Sequence, residues 1–173
     1  MDSKTGLNKS DRILIVGTGS TTLIDKLLKI GYSNLIATDL SKVALKNLEE
    51  RLGNGKIECI IDDLTNPTKL KNIELVDLWV DRAVLHFFIK KEDQDTYFNL
   101  LNIKVKRNGF VIIAEYNLKS SNVCSSLPIY RYSKEMLIEK LKNNFELIES
   151  FNYTYIMPSG DERPYIYTLF KKV

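Results

Sequence analysis

Short apolar runs alternate with amphipathic segments along most of this chain. Each run ends at glycine or at polar residues, a pattern typical of strands that are buried on both faces of a parallel sheet. The predicted strands are Arg12–Val16, Asn34–Thr38, Lys56–Ile61, Leu75–Val80 and Gly109–Glu115. Because parallel strands need long crossover connections, we expect the intervening segments to be helices that cover the sheet.

The intervening segments carry apolar residues at helical spacing and recognisable helix termini. Thr22 and Asp25 resemble a capping box, Gly31 is placed to end that helix, and Ser41 and Ser133 are candidate N-caps. The predicted helices are Thr22–Ile30, a segment from Ser41 to Leu52, Asp93–Leu101 and a segment that follows Ser133.

The C-terminal part of the chain changes character. Two long strand-like runs, Glu146–Tyr155 and Tyr165–Lys172, are separated by Met157–Asp161, which contains proline and glycine. This arrangement predicts an antiparallel hairpin. The expected fold class is therefore α/β, with a mostly parallel sheet, helices on both faces and a C-terminal antiparallel hairpin.

Length and composition indicate one globular domain. Of the 173 residues, 44% are hydrophobic and 27% are charged, so a single core can form without disulfides or metals. We interpret 1–173 as one domain with a short N-terminal extension over 1–11. No apolar run reaches the roughly 20 residues of a spanning helix. The N-terminus also lacks the layout of a signal peptide, so we expect a cytoplasmic protein with no membrane segment.

Charge and residue counts argue against several kinds of site. A net charge of +3 is too small for a nucleic-acid binder, and we interpret Lys104, Lys106 and Arg107 as a solvated turn. Two cysteines, Cys59 and Cys124, fit neither a disulfide framework nor zinc spacing. A single histidine excludes a multi-histidine metal site within one chain, and no metal ion is predicted.

A glycine loop follows the first predicted strand. Gly17 and Gly19 flank Thr18 and allow the backbone to turn sharply and to approach a ligand. A dinucleotide fingerprint requires a third glycine at position 22, where Thr22 stands, so the loop argues against an NAD domain. A ligand without a pyrophosphate does not need that glycine.

Two further strand ends carry carboxylates. Asp39 and Leu40 follow the second strand, where a carboxylate can accept both ribose hydroxyls of an adenosine ligand. Asp62, Asp63 and Leu64 follow the third strand, where a carboxylate or a neighbouring backbone group can meet the adenine edge and Leu64 can line the ring. Asp39 can instead cap the next helix, and either aspartate after the third strand can be an ordinary loop residue. Open α/β sheets bind ligands at the carboxyl ends of their strands, which favours one site formed by the three loops.

Charged residues also end the fourth predicted strand. Asp81 and Arg82 stand where an apolar strand meets the predicted site, so they either serve a ligand or pair with each other, because an unpaired charge is costly there. His86 precedes Phe87 and Phe88 and has two interpretations. It is either a packed core residue or a base that removes a proton from a thiol, amine or phenol.

Together these residues resemble the class I S-adenosylmethionine (SAM)-dependent methyltransferases over nearly the whole chain from Arg12 onward. A narrower resemblance, to a bacterial subgroup of small methyltransferases, is carried by the glycine loop Gly17–Ser20, by Asp39, by Asp77–Phe87 and by Cys124–Ser133. The stretch Asp77–Phe87 is the most specific of these motifs.

The resemblance implies a Rossmann-like, seven-stranded sheet in which the last hairpin makes one strand antiparallel. It implies that the glycine loop approaches the methionine part of SAM, that Asp39 binds ribose, and that Asp63 and Leu64 flank adenine. The predicted cofactor-binding residues are Gly17, Thr18, Gly19, Asp39, Leu40, Asp63, Leu64, Asp81 and Arg82.

The resemblance also implies that a late loop, Cys124–Arg131, closes over the substrate. Arg131 is predicted to hold an anionic substrate group, and His86 is the candidate base. Tyr116 and Tyr130 are either buried tyrosines or an aromatic wall of the substrate site. Cys124 is interpreted as structural, because methyl transfer from SAM needs no enzyme nucleophile.

Two departures from the family's pattern fall on the substrate side. The family carries an N-terminal segment with aromatic residues that covers SAM, whereas only 1–11 precede the first predicted strand here. Near the C-terminus, Tyr155 and Arg163 stand where the subgroup has histidine and glutamine.

The predicted activity is SAM-dependent methyl transfer to a small-molecule thiol, amine or oxygen, because the chain has no added domain for gripping a macromolecule. One alternative is a protein-lysine methyltransferase. Another is a non-catalytic subunit that binds SAM or S-adenosylhomocysteine (SAH) and needs a protein partner; a homo-oligomer is also compatible with the sequence. An NAD-dependent oxidoreductase is disfavoured by Thr22.

Overall fold

A seven-stranded mixed sheet forms the centre of the computed structural model, which describes residues 2–157 and 159–173. The strands of this sheet are β1 (Ile13–Val16), β2 (Leu35–Asp39), β3 (Glu58–Ile61), β4 (Val76–Arg82), β5 (Val105–Tyr116), β8 (Phe145–Ile156) and β9 (Glu162–Lys172). A separate two-stranded sheet consists of β6 (Val123–Cys124) and β7 (Leu127–Pro128). The helices are α1 (Asp2–Thr5), α2 (Leu23–Lys29), α3 (Lys42–Leu52), α4 (Lys91–Lys104) and α5 (Lys134–Leu141), with 3₁₀ turns at Leu70–Asn72 and Leu85–Phe87.

The strand order is β3-β2-β1-β4-β5-β9-β8. Pairing is parallel from β3 to β5, and β9 is antiparallel to both β5 and β8. This confirms the predicted mostly parallel sheet and its C-terminal hairpin; Pro158, in the predicted turn, lies outside the described residues. The order reverses between β1 and β4, so the loops that follow β1, β2 and β4 are neighbours at the carboxyl edge.

Two of the three predicted helix caps are present. Ser41 and Ser133 each accept, through the side-chain oxygen, the backbone N–H three residues further on. The capping box at Thr22 and Asp25 is wrong: Thr22 makes no side-chain cap, and the Asp25 carboxylate instead accepts two hydrogen bonds from Arg51 of α3. No helix in the described part of the chain is long and apolar enough to span a membrane.

The core has two layers, one on each face of the sheet. On the first face, α2 and α3 pack over β1, β2 and β4 through Ile24, Leu27, Leu45 and Leu48. On the second face, α4 and α5 pack together with the 3₁₀ turn Leu70–Asn72. The predicted cover of helices on both faces is therefore confirmed.

The first face is covered unevenly. Its helical core members come from α2 and α3 among the described residues, whereas the area over β5, β9 and β8 is open. Ile112 and Leu169 are only partly buried there, and Phe151 is 51% exposed. The open area forms a groove that runs to the glycine loop.

Candidate active site

The glycine loop closes β1 in a conformation that its glycines permit. Gly17 has φ +59° and Gly19 has φ +45°, both in the left-handed region. A Cβ atom at Gly17 would lie 2.0 Å from Cγ2 of Val84, so the loop packs directly on the segment that follows β4. Thr18 is buried, and its Oγ1 has no hydrogen-bond partner among the described residues.

Asp39 links the ends of β1 and β2. Its Oδ2 accepts the Gly19 N–H at 2.8 Å, and its Oδ1 accepts the Ser41 N–H at 2.8 Å. Each carboxylate oxygen can accept a further hydrogen bond, and Asp39 is only half-buried, so a diol can be bound from the solvent side. The neighbouring Leu40 is 71% exposed and offers an apolar surface beside this carboxylate.

The loop after β3 has a more structural role than predicted. Asp63 is half-buried and accepts the N–H and the hydroxyl of Thr65 through one oxygen, Oδ1. Leu64 is 7% exposed and belongs to the second-face core, so its main contacts are with the core, and its contact with an adenine ring stays a prediction. Asp62 is also buried and accepts hydrogen bonds from residues 68–70, which fixes the loop.

The groove has a volume of about 890 Å³. The glycine loop forms one end, the sheet residues Ile15, Val80 and Ile112 form part of the floor, and β8 and β9 form the far wall. That wall is aromatic: the rings of Phe151 and Tyr167 stack with centroids 5.1 Å apart and an interplanar angle of 2°. Side chains alternate between the two faces of a sheet along each strand. The apolar floor and the aromatic wall therefore lie on the same face of the sheet, next to the glycine loop.

Asp81 and Glu115 form a buried carboxyl pair on the opposite side of the sheet from the groove. Both side chains are fully buried, and both accept the Val84 N–H, at 3.1 and 3.2 Å. Tyr97 donates its hydroxyl to Asp81 at 2.7 Å, and the Leu85 N–H donates to Glu115 at 3.0 Å. The Asp81 carboxylate is thus engaged by Tyr97 and Val84 on the other face of the sheet, although the residue borders the groove. Its assignment as a cofactor-binding residue stays a prediction.

His86 belongs to the same buried network. Its Nδ1 lies 2.6 Å from Glu115 Oε2, its ring stacks on Tyr116 at 4.9 Å, and it is 0% exposed. Burial lowers the pKa of His86 to about 4 and raises the pKa of Glu115 to about 8. The contact is therefore a hydrogen bond between neutral groups near pH 7 rather than an ion pair. The role of His86 as a base that contacts substrate is corrected to that of a packed core residue.

This network predicts an unusual pH dependence of stability. Burial holds a proton on Glu115 up to about pH 8, whereas an unfolded glutamate releases it near pH 4.5, so folding binds a proton between these values and stability falls as pH rises. His86 acts in the opposite sense below pH 6.5. Above pH 6.5 the carboxyl effect dominates, and Asp81, whose pKa burial also raises, acts in the same direction as Glu115. We expect a loss of about 2 kcal/mol in the free energy of unfolding between pH 6.5 and 8.

Urea unfolding of the wild type and of Glu115→Gln at these two pH values measures the effect. Glutamine keeps an acceptor for the Val84 and Leu85 N–H groups and cannot ionise, so the variant is expected to lose less stability over the same interval. The loss that remains in the variant comes from Asp81, whose pKa burial also raises. A wild-type stability that stays level or rises from pH 6.5 to 8 contradicts the assignment.

Arg131 and the tyrosines Tyr116 and Tyr130 lie outside the groove. Arg131 Nη1 donates to the carbonyl oxygens of Leu118 and Ser120, at 3.1 and 3.0 Å, so this arginine fastens the loop. Its predicted contact with an anionic substrate group stays a prediction. Tyr116 is 3% exposed and Tyr130 is 37% exposed; neither lines the groove.

Sequence reasoning missed the groove's aromatic wall and the role of Glu115. A signal for each was present. Phe151, Tyr153 and Tyr155 alternate along one predicted strand, which places them on one face of the hairpin, and Glu115 ends a strongly apolar strand where a charge must be used or neutralised.

Solved structures with the same topology match nearly the whole chain. A SAM-dependent methyltransferase from Methanosarcina mazei superimposes with a TM-score of 0.79 at 15% identity, covering 96% of this chain and 94% of that one. The N-methyltransferase NodS from Bradyrhizobium japonicum, in complex with SAH, gives a TM-score of 0.75 at 14% identity, covering 99% and 82%. The chain has the class I SAM-dependent methyltransferase fold. Within this methyltransferase fold, the glycine loop and Asp39 lie at the carboxyl edge of the first two strands.

Curated relatives are lysine methyltransferases. The chain is 30% identical to EEF1A lysine methyltransferase 2 of Danio rerio over 153 residues, which is 82% of this chain and 58% of the relative. It is 25% identical to the Homo sapiens protein of the same name over 150 residues, which is 79% of this chain and 55% of that relative. The chain thus spans a little over half the length of these relatives. No family model matches it. Because both relatives are eukaryotic, the resemblance to a bacterial subgroup stays a prediction.

Proposed function

We propose that this chain is a SAM-dependent methyltransferase. The observation that carries the proposal is the Asp39 carboxylate, which is held by the Gly19 and Ser41 N–H groups and has lone pairs left for a ribose diol. The Gly19 that it contacts belongs to the glycine loop that forms one end of the groove. The curated relatives, which are methyltransferases, support the same activity.

The described residues fit an adenosine ligand with a charged amino acid tail. Asp39 would hold ribose, Leu40 and Asp63 would lie near the base, and the loop Gly17–Gly19 would bring backbone groups close to the tail. Thr18 Oγ1, which is buried without a partner, gives this loop an additional polar group that a bound ligand can satisfy.

When bound, SAM supplies a methyl group that its sulfonium already activates. The protein's part is then to align the acceptor and exclude water, and the apolar floor of the groove with the aromatic wall of β8 and β9 can do both. Among the described groove residues, Glu149 is the accessible carboxylate, and Lys4 pairs with it at 2.5 Å. Because His86 is buried, it does not reach an acceptor in the groove as a base. An acceptor that loses its proton readily in water, such as a thiol, therefore depends least on a base from the protein.

A small molecule is the acceptor class that we propose, because the groove is a concave site of about 890 Å³, a volume typical of small-molecule sites. A lysine of a protein is the second candidate, and the two relatives named as EEF1A lysine methyltransferases favour it. Incubation with tritium-labelled SAM and either small thiols and amines or elongation factor 1A separates these candidates. The non-catalytic subunit gains support if the chain binds SAM and methylates neither class until another protein is added.

Calorimetric titration of the purified chain with SAM, SAH and NAD tests the proposed function. We expect saturable binding of SAM and SAH and none of NAD, because Thr22 occupies the position of the third glycine that a pyrophosphate needs. The proposal is rejected if neither SAM nor SAH binds to a sample that circular dichroism shows to be folded.

A further inference from the structure

Arg82 is held in a fixed position above the groove by three tyrosines, which we call the tyrosine clamp: Tyr155, Tyr165 and Tyr167. Its guanidinium carbon lies 5.5 Å from the ring centroid of Tyr155 and 5.3 Å from that of Tyr165, and its Nε donates to the hydroxyl of Tyr167 at 3.2 Å. Aromatic faces stabilise a guanidinium by cation–π attraction and restrict its motion. The clamp thus fixes a cation that would otherwise be a flexible surface side chain.

No carboxylate neutralises this cation within the described part of the chain. Arg82 has no ion pair there, and its hydrogen bond to Tyr167 uses Nε, so the two terminal nitrogens keep their donors for a ligand. Asp81 is adjacent in sequence, but successive strand residues point to opposite faces, and Asp81 is buried against Tyr97 on the other side. The clamp leaves an organised guanidinium fork facing solvent at the site.

A second arginine is a neighbour of the clamp. Arg163 is the register partner of Tyr155 in the last hairpin, and the ring centroid of Tyr155 lies 5.5 Å from the guanidinium carbon of Arg82. Arg163 has no ion pair among the described residues either. Lys26 adds further positive charge to the groove lining, whereas the accessible Glu149 is already paired with Lys4. The groove therefore presents excess positive charge to whatever it binds.

The position of the clamp separates it from the glycine loop. Tyr165 and Tyr167 belong to β9, and the order β1-β4-β5-β9 puts three strand spacings, on the order of 14 Å, between them and β1. The Arg82 guanidinium leans toward β9 and away from the loop that would hold the cofactor tail. Although Arg82 was predicted among the cofactor-binding residues, this geometry favours the acceptor.

We propose that Arg82 in the tyrosine clamp, with Arg163 beside it, binds a carboxylate or phosphate group of the methyl acceptor. A guanidinium fork matches either anion with two parallel hydrogen bonds, and the stacked Phe151 and Tyr167 rings suit an acceptor with a flat apolar body. The same charges disfavour a free cationic lysine as acceptor. This inference rests on the proposed methyltransferase function and names the acceptor class for it.

The test uses the full chain saturated with SAH, and it titrates sodium benzoate, sodium phosphate and neutral benzyl alcohol, with binding followed by NMR. Benzoate is expected to bind and to lose about tenfold in affinity in Arg82→Gln, since a charge-assisted bidentate contact is removed. Arg163→Gln is expected to lose less. Arg107→Gln, at an exposed arginine of β5 outside the groove, serves as the matched control and should leave benzoate affinity unchanged.

Each result decides for or against the inference. Weaker benzoate binding with unchanged SAH affinity in Arg82→Gln supports an acceptor subsite. Weaker SAH binding with unchanged benzoate affinity overturns it and assigns the anion to the cofactor's own carboxylate, with the proposed function intact. Benzoate binding that is absent, or insensitive to Arg82→Gln, also overturns it. A wild type that fails to bind SAH removes the proposed function and this inference together. Arg82→Lys, which keeps the charge but not the fork, should retain part of the affinity and covers the case in which Arg82→Gln does not fold.

Discussion

Asp39→Ala is expected to weaken SAH binding by about two orders of magnitude. A carboxylate that accepts two ribose hydroxyls contributes roughly 1.5–3 kcal/mol per hydrogen bond, and even the lower value for both bonds amounts to about a hundredfold. Alanine also leaves the Gly19 and Ser41 N–H groups without their present acceptor, so the glycine loop loses the contact that positions it. Isothermal titration of SAH into the wild type and the variant measures the loss.

Two controls separate a ligand contact from a general weakening of the fold. Asp39→Asn keeps an acceptor for one of the two amides and should fall between wild type and Asp39→Ala. Asp95→Ala removes an exposed carboxylate of α4 that pairs with Lys91 and Lys140, and it should leave SAH affinity unchanged. If Asp39→Ala binds SAH within a few-fold of the wild type, Asp39 does not hold the ribose.

Gly17→Ala is expected to destabilise the protein by about 3 kcal/mol and to abolish measurable SAH binding. The left-handed conformation at φ +59° costs alanine about 1–2 kcal/mol. The added methyl would lie 2.0 Å from Cγ2 of Val84, and relieving such a clash typically costs a further 1–3 kcal/mol or so. Val84 cannot easily withdraw, because its side chain is stiff and its N–H is held by Asp81 and Glu115. Urea denaturation gives the change in the free energy of unfolding.

Gly19→Ala is the matched comparison. Its φ of +45° imposes similar backbone strain, but a Cβ there meets nothing within 4 Å, so we expect a loss of only about 1–2 kcal/mol. Gly17→Ala should destabilise a protein that already carries Val84→Ala less than it destabilises the wild type. Equal destabilisation at both glycines, or an equal effect of Gly17→Ala in both backgrounds, means that the contact with Val84 is not what requires glycine at position 17.

Several elements followed directly from local sequence. The alternation of apolar runs with amphipathic segments was enough to predict β1 to β4 and α2 to α4, and the serines at 41 and 133 cap helices as predicted. The beginning of β5 was not foreseen. Val105 starts the strand although basic and polar residues follow it, because Lys106 pairs with Asp77 at 2.8 Å and Val105 pairs with Val76. The basic group interpreted as a solvated turn is therefore partly a structural contact between strands.

The sequence alone determined the glycine loop after β1 and the carboxylate after β2, and the parallel pairing of these two strands then brings Asp39 to Gly19. Only the tertiary structure decided which polar side chains reach the groove. His86, Asp81 and Leu64 are buried, and Arg131 is used by its own loop, because packing and hydrogen bonding with residues distant in sequence fix their direction. Arg82 faces the opening because its clamp is built from tyrosines more than seventy positions away, a pairing set by the register of β5 with β9 and of β8 with β9 rather than by any local pattern.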